Sequence, residues 1–327
     1  MAIQTVQATV NGLTYNLEYD QTTGKYVAEV VSPAASSYIE SGHYFPVSVT
    51  ATDDHGNSAS KDSTDGTFGT NLRLFNKEQV KPVVTITSPT SGSYVTSSTP
   101  SFAITLADDA NQASGSSGLA AIEDGKNPIT VTLDGTDYDY DDLGDIFDSE
   151  SFVITPITMT GSYVASATVS ATFLPLSDGQ HTLSIVCYDN DGNASLAASA
   201  TFTVDTVAPS LVVSTPTDGY KTNQAAWTVS GTTNDVTSAP VTVTVKLDGT
   251  DQGTVTVAQD GTFTKTGTYS TTGTHVFTVR ATDAAGKYTE ITRTVSYSTT
   301  IPVFTSISIE PNPVNAGSTY RIYVEVH

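Results

Sequence analysis

The chain has a single cysteine, Cys187, so no intrachain disulfide can form. Its 13 Lys and Arg stand against 34 Asp and Glu, a formal net charge of −21. So few cations cannot make the phosphate contacts that nucleic acid demands, and an anionic membrane surface would repel such a chain. No run approaches the roughly 18 uninterrupted apolar residues of a membrane-spanning helix. The opening residues, Met1-Ala2-Ile3-Gln4-Thr5-Val6-Gln7, have neither the basic nor the apolar segment of an export signal. HExxH, CxxC and nucleophile-elbow signatures are missing, and patterns of helical period are almost absent. Charged residues make up only 14% of the chain, which leaves a surface of Ser, Thr, Gly, Asn and Tyr, as in proteins that work outside cells.

One phrase is stated three times: Val49-Thr50-Ala51-Thr52-Asp53-Asp54-His55-Gly56-Asn57, Val186-Cys187-Tyr188-Asp189-Asn190-Asp191-Gly192-Asn193, and Val279-Arg280-Ala281-Thr282-Asp283-Ala284-Ala285-Gly286-Lys287. Each reads as a strand entering a tight turn, with an Asp that caps backbone amides and a Gly three residues later that accepts positive φ. Counting back from the Asp gives period-two faces: Phe45, Val47, Val49 and Ala51; His181, Leu183, Ile185 and Cys187; His275, Phe277, Val279 and Ala281. Upstream of each lies a second strand ending in Asn-Gly or Asp-Gly, at residues 6–12, 129–135 and 241–249. Valine and threonine crowd these runs, as in an all-β sandwich.

Three sandwiches of about 100 residues fit the length, each able to bury its own core. The expected division is 1–80, 81–207 and 208–300, followed by a two-strand segment at 301–327. The second and third domains have room for two strands ahead of the Asp-Gly strand, whereas the first has only ten residues and reads as lacking them. Linkers at 78–82 and 205–209 each close on a proline, Pro82 and Pro209, which stiffens the joint. The second domain carries an insertion, with a Gly/Ser-rich loop at 111–118 and an acidic stretch at 134–150. Residues 304–309 and 318–326 read as two strands with an unburied apolar face, Ile307 and Ile309 with Tyr320, Ile322 and Val324. Such a hairpin suits strand addition to the first domain of a neighbouring copy, or docking on a different protein.

The acidic stretch invites a calcium reading, with Asp137, Asp139, Asp141, Asp145 and Asp148 as alternating hard-oxygen ligands. It is not an EF-hand, because Asp142 stands where glycine must make the turn. The bland reading is a solvated acidic loop. The linker carboxylate Asp205 with the hairpin carboxylates forms a separate junction candidate. The role of any such ion would be stiffening. His181 and His275 share the position of Phe45, which argues for buried corners and against metal ligation. Cys187 shares its position with Ala51 and Ala281 and fills a small core pocket. Trp227 reads as core, and Lys246 points away from the Val241, Val243, Val245 and Leu247 face. No other cofactor and no catalytic residue is indicated.

The segments Pro82-Val83-Val84-Thr85-Ile86-Thr87-Ser88-Pro89 and Ala208-Pro209-Ser210-Leu211-Val212-Val213-Ser214-Thr215-Pro216 resemble first strands of bacterial immunoglobulin-like domains, and Trp227-Thr228-Val229-Ser230-Gly231-Thr232 resembles their second strand. The resemblance covers nearly the whole chain and implies tandem immunoglobulin-like β-sandwiches in a rod. The phrase Ile307-Ser308-Ile309-Glu310-Pro311-Asn312-Pro313-Val314-Asn315-Ala316-Gly317-Ser318 is similar to segments of immunoglobulin-like virion proteins in tailed phages of Gram-positive bacteria. With the missing export signal, it implies a non-enzymatic structural or host-adsorption protein of a phage particle. Its expected partners are its own copies or another virion protein through 303–327, and a host surface glycan. The alternatives are a bacterial cell-surface adhesin and the accessory region of a secreted carbohydrate-processing protein.

Overall fold

The computed structural model describes residues 2–108, 115–120, 128–160 and 163–327, with backbone alone for 157–160 and 163. Residues 111–114 of the Gly/Ser-rich loop therefore lie outside the described residues. The chain forms two compact units, Met1–Thr206 and Val207–His327. Nearly all regular structure is antiparallel strand. Helix among the described residues is confined to three short 3-10 turns, Ser37–Ile39, Gly69–Leu72 and Tyr140–Asp145. The chain is thus an all-β protein of tandem immunoglobulin-like sandwiches.

Val207–His327 holds the third domain. Its strands Ser210–Thr215, Ala226–Asn234 and Thr262–Thr268 form one sheet. The facing sheet runs Tyr220–Thr222, Tyr288–Tyr297, Gly273–Thr282, Thr242–Leu247 and Thr250–Val255. Period-two alternation sends His275, Phe277, Val279 and Ala281 inward, where they are buried with Val243, Val245, Val229 and Trp227. Lys246 is exposed, on the opposite side of its strand. Two glycines of the first sheet leave room for atoms of the neighbouring strand. A Cβ at Gly267 would overlap the Trp227 ring, and one at Gly231 would overlap the Val212 carbonyl. The pair Phe304–Glu310 and Arg321–Val326 forms a separate two-stranded sheet, exposed at every residue.

Within Met1–Thr206, the second domain repeats the plan. One sheet runs Val153–Thr160, Tyr163–Thr172, Ser101–Ala107 and Val83–Ser88; the other runs Thr136–Tyr138, Ile129–Leu133, Gly179–Cys187, Ala198–Val204 and Tyr94–Val95. Its core centres on Phe102, Phe147, Phe173 and Phe202, with Phe147 4.6 Å from Phe102 and 4.7 Å from Phe173 between ring centroids. The first domain contributes one sheet, Leu13–Asn16, Ile3–Val10, Phe45–Asp53 and Ser58–Lys61, with Arg73–Leu74 also paired to Phe45–Asp53. A small hairpin, Glu18–Asp20 with Lys25–Val27, stands apart from it.

The turns follow from the residues that make them. Asn11-Gly12, Asp134-Gly135 and Asp248-Gly249 all have positive φ at both central positions, the two-residue turn whose twist matches a hairpin. In the repeated phrase the glycine amide donates back to the Asp carbonyl at 3.1 Å for Gly56, 3.2 Å for Gly192 and 3.3 Å for Gly286.

Candidate carboxylate sites at the hairpin ends

The Asp that opens each repeated turn is buried: Asp53 4%, Asp189 2% and Asp283 6% exposed. It earns its place by capping the turn. Asp53 Oδ1 accepts from the His55 and Asn57 amides, and Oδ2 from Asn57 Nδ2 at 2.9 Å. Asp189 is held the same way by Asn193, at 2.7 Å from both the amide and Nδ2. Asp283 Oδ1 accepts from the Lys287 amide at 2.9 Å. With lysine in place of asparagine no side-chain amide caps the other oxygen, and Asp283 Oδ2 is buried without a hydrogen-bond partner.

In the second domain two further carboxylates converge on Asp189. Glu78 comes from the stretch ahead of Pro82, and Asp108 directly follows strand Ser101–Ala107. All three are buried, with one oxygen of each within 4.8 Å of the others. Glu78 Oε1 accepts from Ser117 Oγ at 3.2 Å and Asn193 Nδ2 at 3.3 Å, Oε2 accepts from the Val80 amide, and the Glu78 amide donates to Asp191 Oδ2 at 3.0 Å. Burial, the hydrogen bond with Asp189 and the charges of Asp189 and Asp108 push the Glu78 carboxyl up to about 7, against the Val80 amide, which lowers it. Such a trio either shares a proton or holds a hard cation. In the third domain, Asp235 directly follows strand Ala226–Asn234, and a carboxylate oxygen lies within 4.8 Å of one from Asp283. Asp235 Oδ1 caps the Thr237 and Ser238 amides, each at 2.8 Å.

The five carboxylates of the acidic stretch are placed differently. Asp137 accepts from Thr132 Oγ1 at 2.7 Å, Asp139 from Thr130 Oγ1 at 3.1 Å, and Asp148 from the Glu150 amide at 3.1 Å. Asp141 and Asp145 are exposed on the 3-10 turn Tyr140–Asp145. Among the described residues none of the five joins a group of three ligand-type side chains within reach of one ion. What anchors this stretch is apolar: Leu143, Ile146 and Phe147 are buried in the domain core. Asp205 is buried, and its amide donates to the Val95 carbonyl at 2.9 Å.

The two sandwich histidines are buried corners. His275 donates Nδ1–H to Asp248 Oδ2 at 2.7 Å and Nε2–H to the Thr271 carbonyl at 2.9 Å; His181 has the same partners in Asp134 at 2.7 Å and Ser177 at 2.8 Å. Burial opposes charge on His275, yet the two acceptors and the Asp248 charge together raise its pKa above the ordinary 6.5. Burial opposes charge on Asp248 as well, but the His275 and Val276 hydrogen bonds outweigh it and lower its pKa below 3.8. Cys187 is fully buried, and burial pushes its thiol up to about 11, which leaves little thiolate for nucleophilic chemistry.

Sequence reasoning singled out the hairpin aspartates and missed Glu78, Asp108 and Asp235 as their companions. A signal was present: Asp108 and Asp235 each follow the last residue of the third strand of a domain, and Glu78 stands four residues ahead of a domain-opening proline.

A family model described as glucodextranase, domain B, matches residues 209–299, the third domain alone. No curated protein matches the chain. Among solved structures, the chain is similar to fibronectin(III)-like modules of Clostridium thermocellum CbhA, with 15% identity over 66% of this chain and 94% of that one and a TM-score of 0.34. It is also similar to a tetra-tandem repeat in the extending region of a large adhesion protein, with 16% identity over 98% of this chain and 79% of that one and a TM-score of 0.32. A third likeness is to Sidekick-1 immunoglobulin domains 1–4, with 10% identity over 91% of this chain and 68% of that one and a TM-score of 0.33. At such low scores these likenesses carry no argument about function.

Proposed function

We propose that the chain is a non-enzymatic display and spacer protein of a phage particle, whose tandem sandwiches carry a surface for assembly or host adsorption. The observation that supports this most is the employment of its reactive side chains. His181, His275, Cys187 and the hairpin aspartates are each bound into a corner, a core or a turn, the positions where such groups hold a fold together. A host surface glycan fits the neutral, polar surface. Assembly runs through residues 303–327, whose hairpin exposes Phe304, Ile307, Ile322 and Val324 by half or more. The first domain of a second copy is the partner that fits. Its strand Phe45–Asp53 leaves Val47, Val49 and Ala51 only half-buried, a face that added strands would cover. Peptide mass spectrometry of purified particles against washed host envelopes tests the location, and recovery in the envelope alone would contradict it. Deleting 303–327 tests the assembly, with loss of self-association expected and an unchanged mass contradicting it.

The match of residues 209–299 favours one second reading, an accessory region of a secreted carbohydrate-processing protein. Under that reading the chain binds a polysaccharide and is found in the culture medium without particles.

A further inference from the structure

The third domain contains a charged oxygen that its own fold leaves unanswered. Asp283 is 6% exposed, its Oδ1 is engaged by the Lys287 amide, and its Oδ2 is buried with no hydrogen-bond donor. Buried polar atoms are almost always paired, and an uncompensated carboxylate oxygen inside a protein loses its hydration with nothing in return, so an orphan of this kind calls for a partner. A neighbouring carboxylate makes the problem worse. Asp235 brings a second carboxylate oxygen within 4.8 Å, and like charges at that separation repel. In the other domains the equivalent oxygen is paired, because Asn57 and Asn193 each place an amide on it.

Two hard oxygens so placed suit one ion. Calcium takes oxygen ligands at about 2.3–2.6 Å, so two of its ligands stand no more than roughly 5 Å apart, and its irregular shell accepts carbonyls and waters beside carboxylates. The pair is also braced in advance. Asp235 is fixed by the Thr237 and Ser238 amides, and the Ala284 amide of the hairpin donates to the Ser238 carbonyl at 2.9 Å, which ties the two loops together. We propose that Asp235 and Asp283 form a binding site for a divalent cation of the calcium class, and that the ion holds the loop after Ala226–Asn234 against the hairpin after Gly273–Thr282.

The chain has one tryptophan, Trp227, buried in this domain, so its fluorescence reports the unfolding of the third domain alone. The experiment compares denaturant unfolding of the full chain in chelator and in millimolar calcium, with calorimetric titration of calcium into the metal-free chain. A native-state ligand raises the midpoint by mass action. The expected result is a calcium-dependent rise of the Trp227 midpoint that is lost in Asp283→Asn and in Asp235→Asn, with one fewer bound ion per chain in each. In chelator Asp283→Asn should unfold at the same or a higher midpoint than the native chain, because it removes a buried charge. A purely structural aspartate would instead lower it. A native chain with no calcium response, a response retained in both variants, or one lost in Asp189→Asn but kept in Asp283→Asn would each overturn the site. Should Asp283→Asn fail to fold, Asp235→Asn and the native titration decide the matter.

Discussion

The first and third domains make the same hairpin from the same phrase, yet they support it differently. In the third, Gly273–Thr282 alternates cleanly between buried and open positions, because a complete second sheet lies over one face. In the first, Phe45–Asp53 buries only its two ends, Phe45 and Asp53; Pro46 is exposed and Val47 to Thr52 are half-buried. The corner residue differs as well. The third domain pairs His275 with Asp248, while the equivalent positions of the first are Phe45 and Asn11-Gly12, a turn with no carboxylate to offer. Local phrases therefore dictate the hairpin, and the layer above it dictates how much of the hairpin is worth burying. The strand and turn chemistry survives a change of context; the core does not.

The largest contrast should appear in the cores. Phe277→Ala removes a fully buried ring that packs 5.1 Å from Trp227, and should cost about 3–5 kcal/mol in the Trp227-reported transition. Phe45→Ala should leave that transition in place, since it sits in the other unit; a shared loss would break the comparison. Next in size is Gly267→Ala, whose Cβ overlaps the Trp227 ring and should destabilise the third domain by about 1–3 kcal/mol in the same assay. A neutral result would mean that the ring moves aside freely.

Lys287→Asn transplants the amide found at Asn57 and Asn193 onto Asp283 Oδ2. In chelator it should stabilise the third domain by about 0.5–1.5 kcal/mol, and it should weaken any calcium response by occupying the free oxygen. A loss of stability in chelator would argue that Lys287 supports the fold in its own right.

The smallest effect is a pH dependence. Because the His275 pKa is raised, its contribution is fully present below the unfolded value near 6.5 and fades as pH climbs through the higher folded value. Asp248 works in the opposite sense: its pKa is lowered, so its contribution is present above about 3.8 and fades as pH falls through the lower folded value. The pair thus favours the third domain most between those limits. His275→Phe, which installs the residue of the first domain, should flatten the alkaline side of that profile. An unchanged profile in the variant would assign the pH dependence elsewhere.

Much of the fold was legible because period-two alternation and the Asp-x-x-Gly turn are local. Cys187, Trp227 and Lys246 could each be placed on a strand face from neighbours two residues away, and each lies on that face. The carboxylate pairs were not legible in the same way. Asp283 announces itself in a motif, whereas Asp235 is 48 residues distant in sequence and meets it only once the two sheets have packed face to face. The acidic stretch misdirects for a related reason. Charge dominates its composition, while Leu143, Ile146 and Phe147, at helical spacing of three and four, carry the contacts that anchor it.

Under the proposed function these sandwiches recognise and hold without reacting. The direct test incubates the purified full chain with host cell-wall and capsular glycans, and follows both retention of the chain on the glycan and release of new reducing ends. The account predicts retention with no release at any pH; release that a single Asp or Glu substitution abolishes would contradict it.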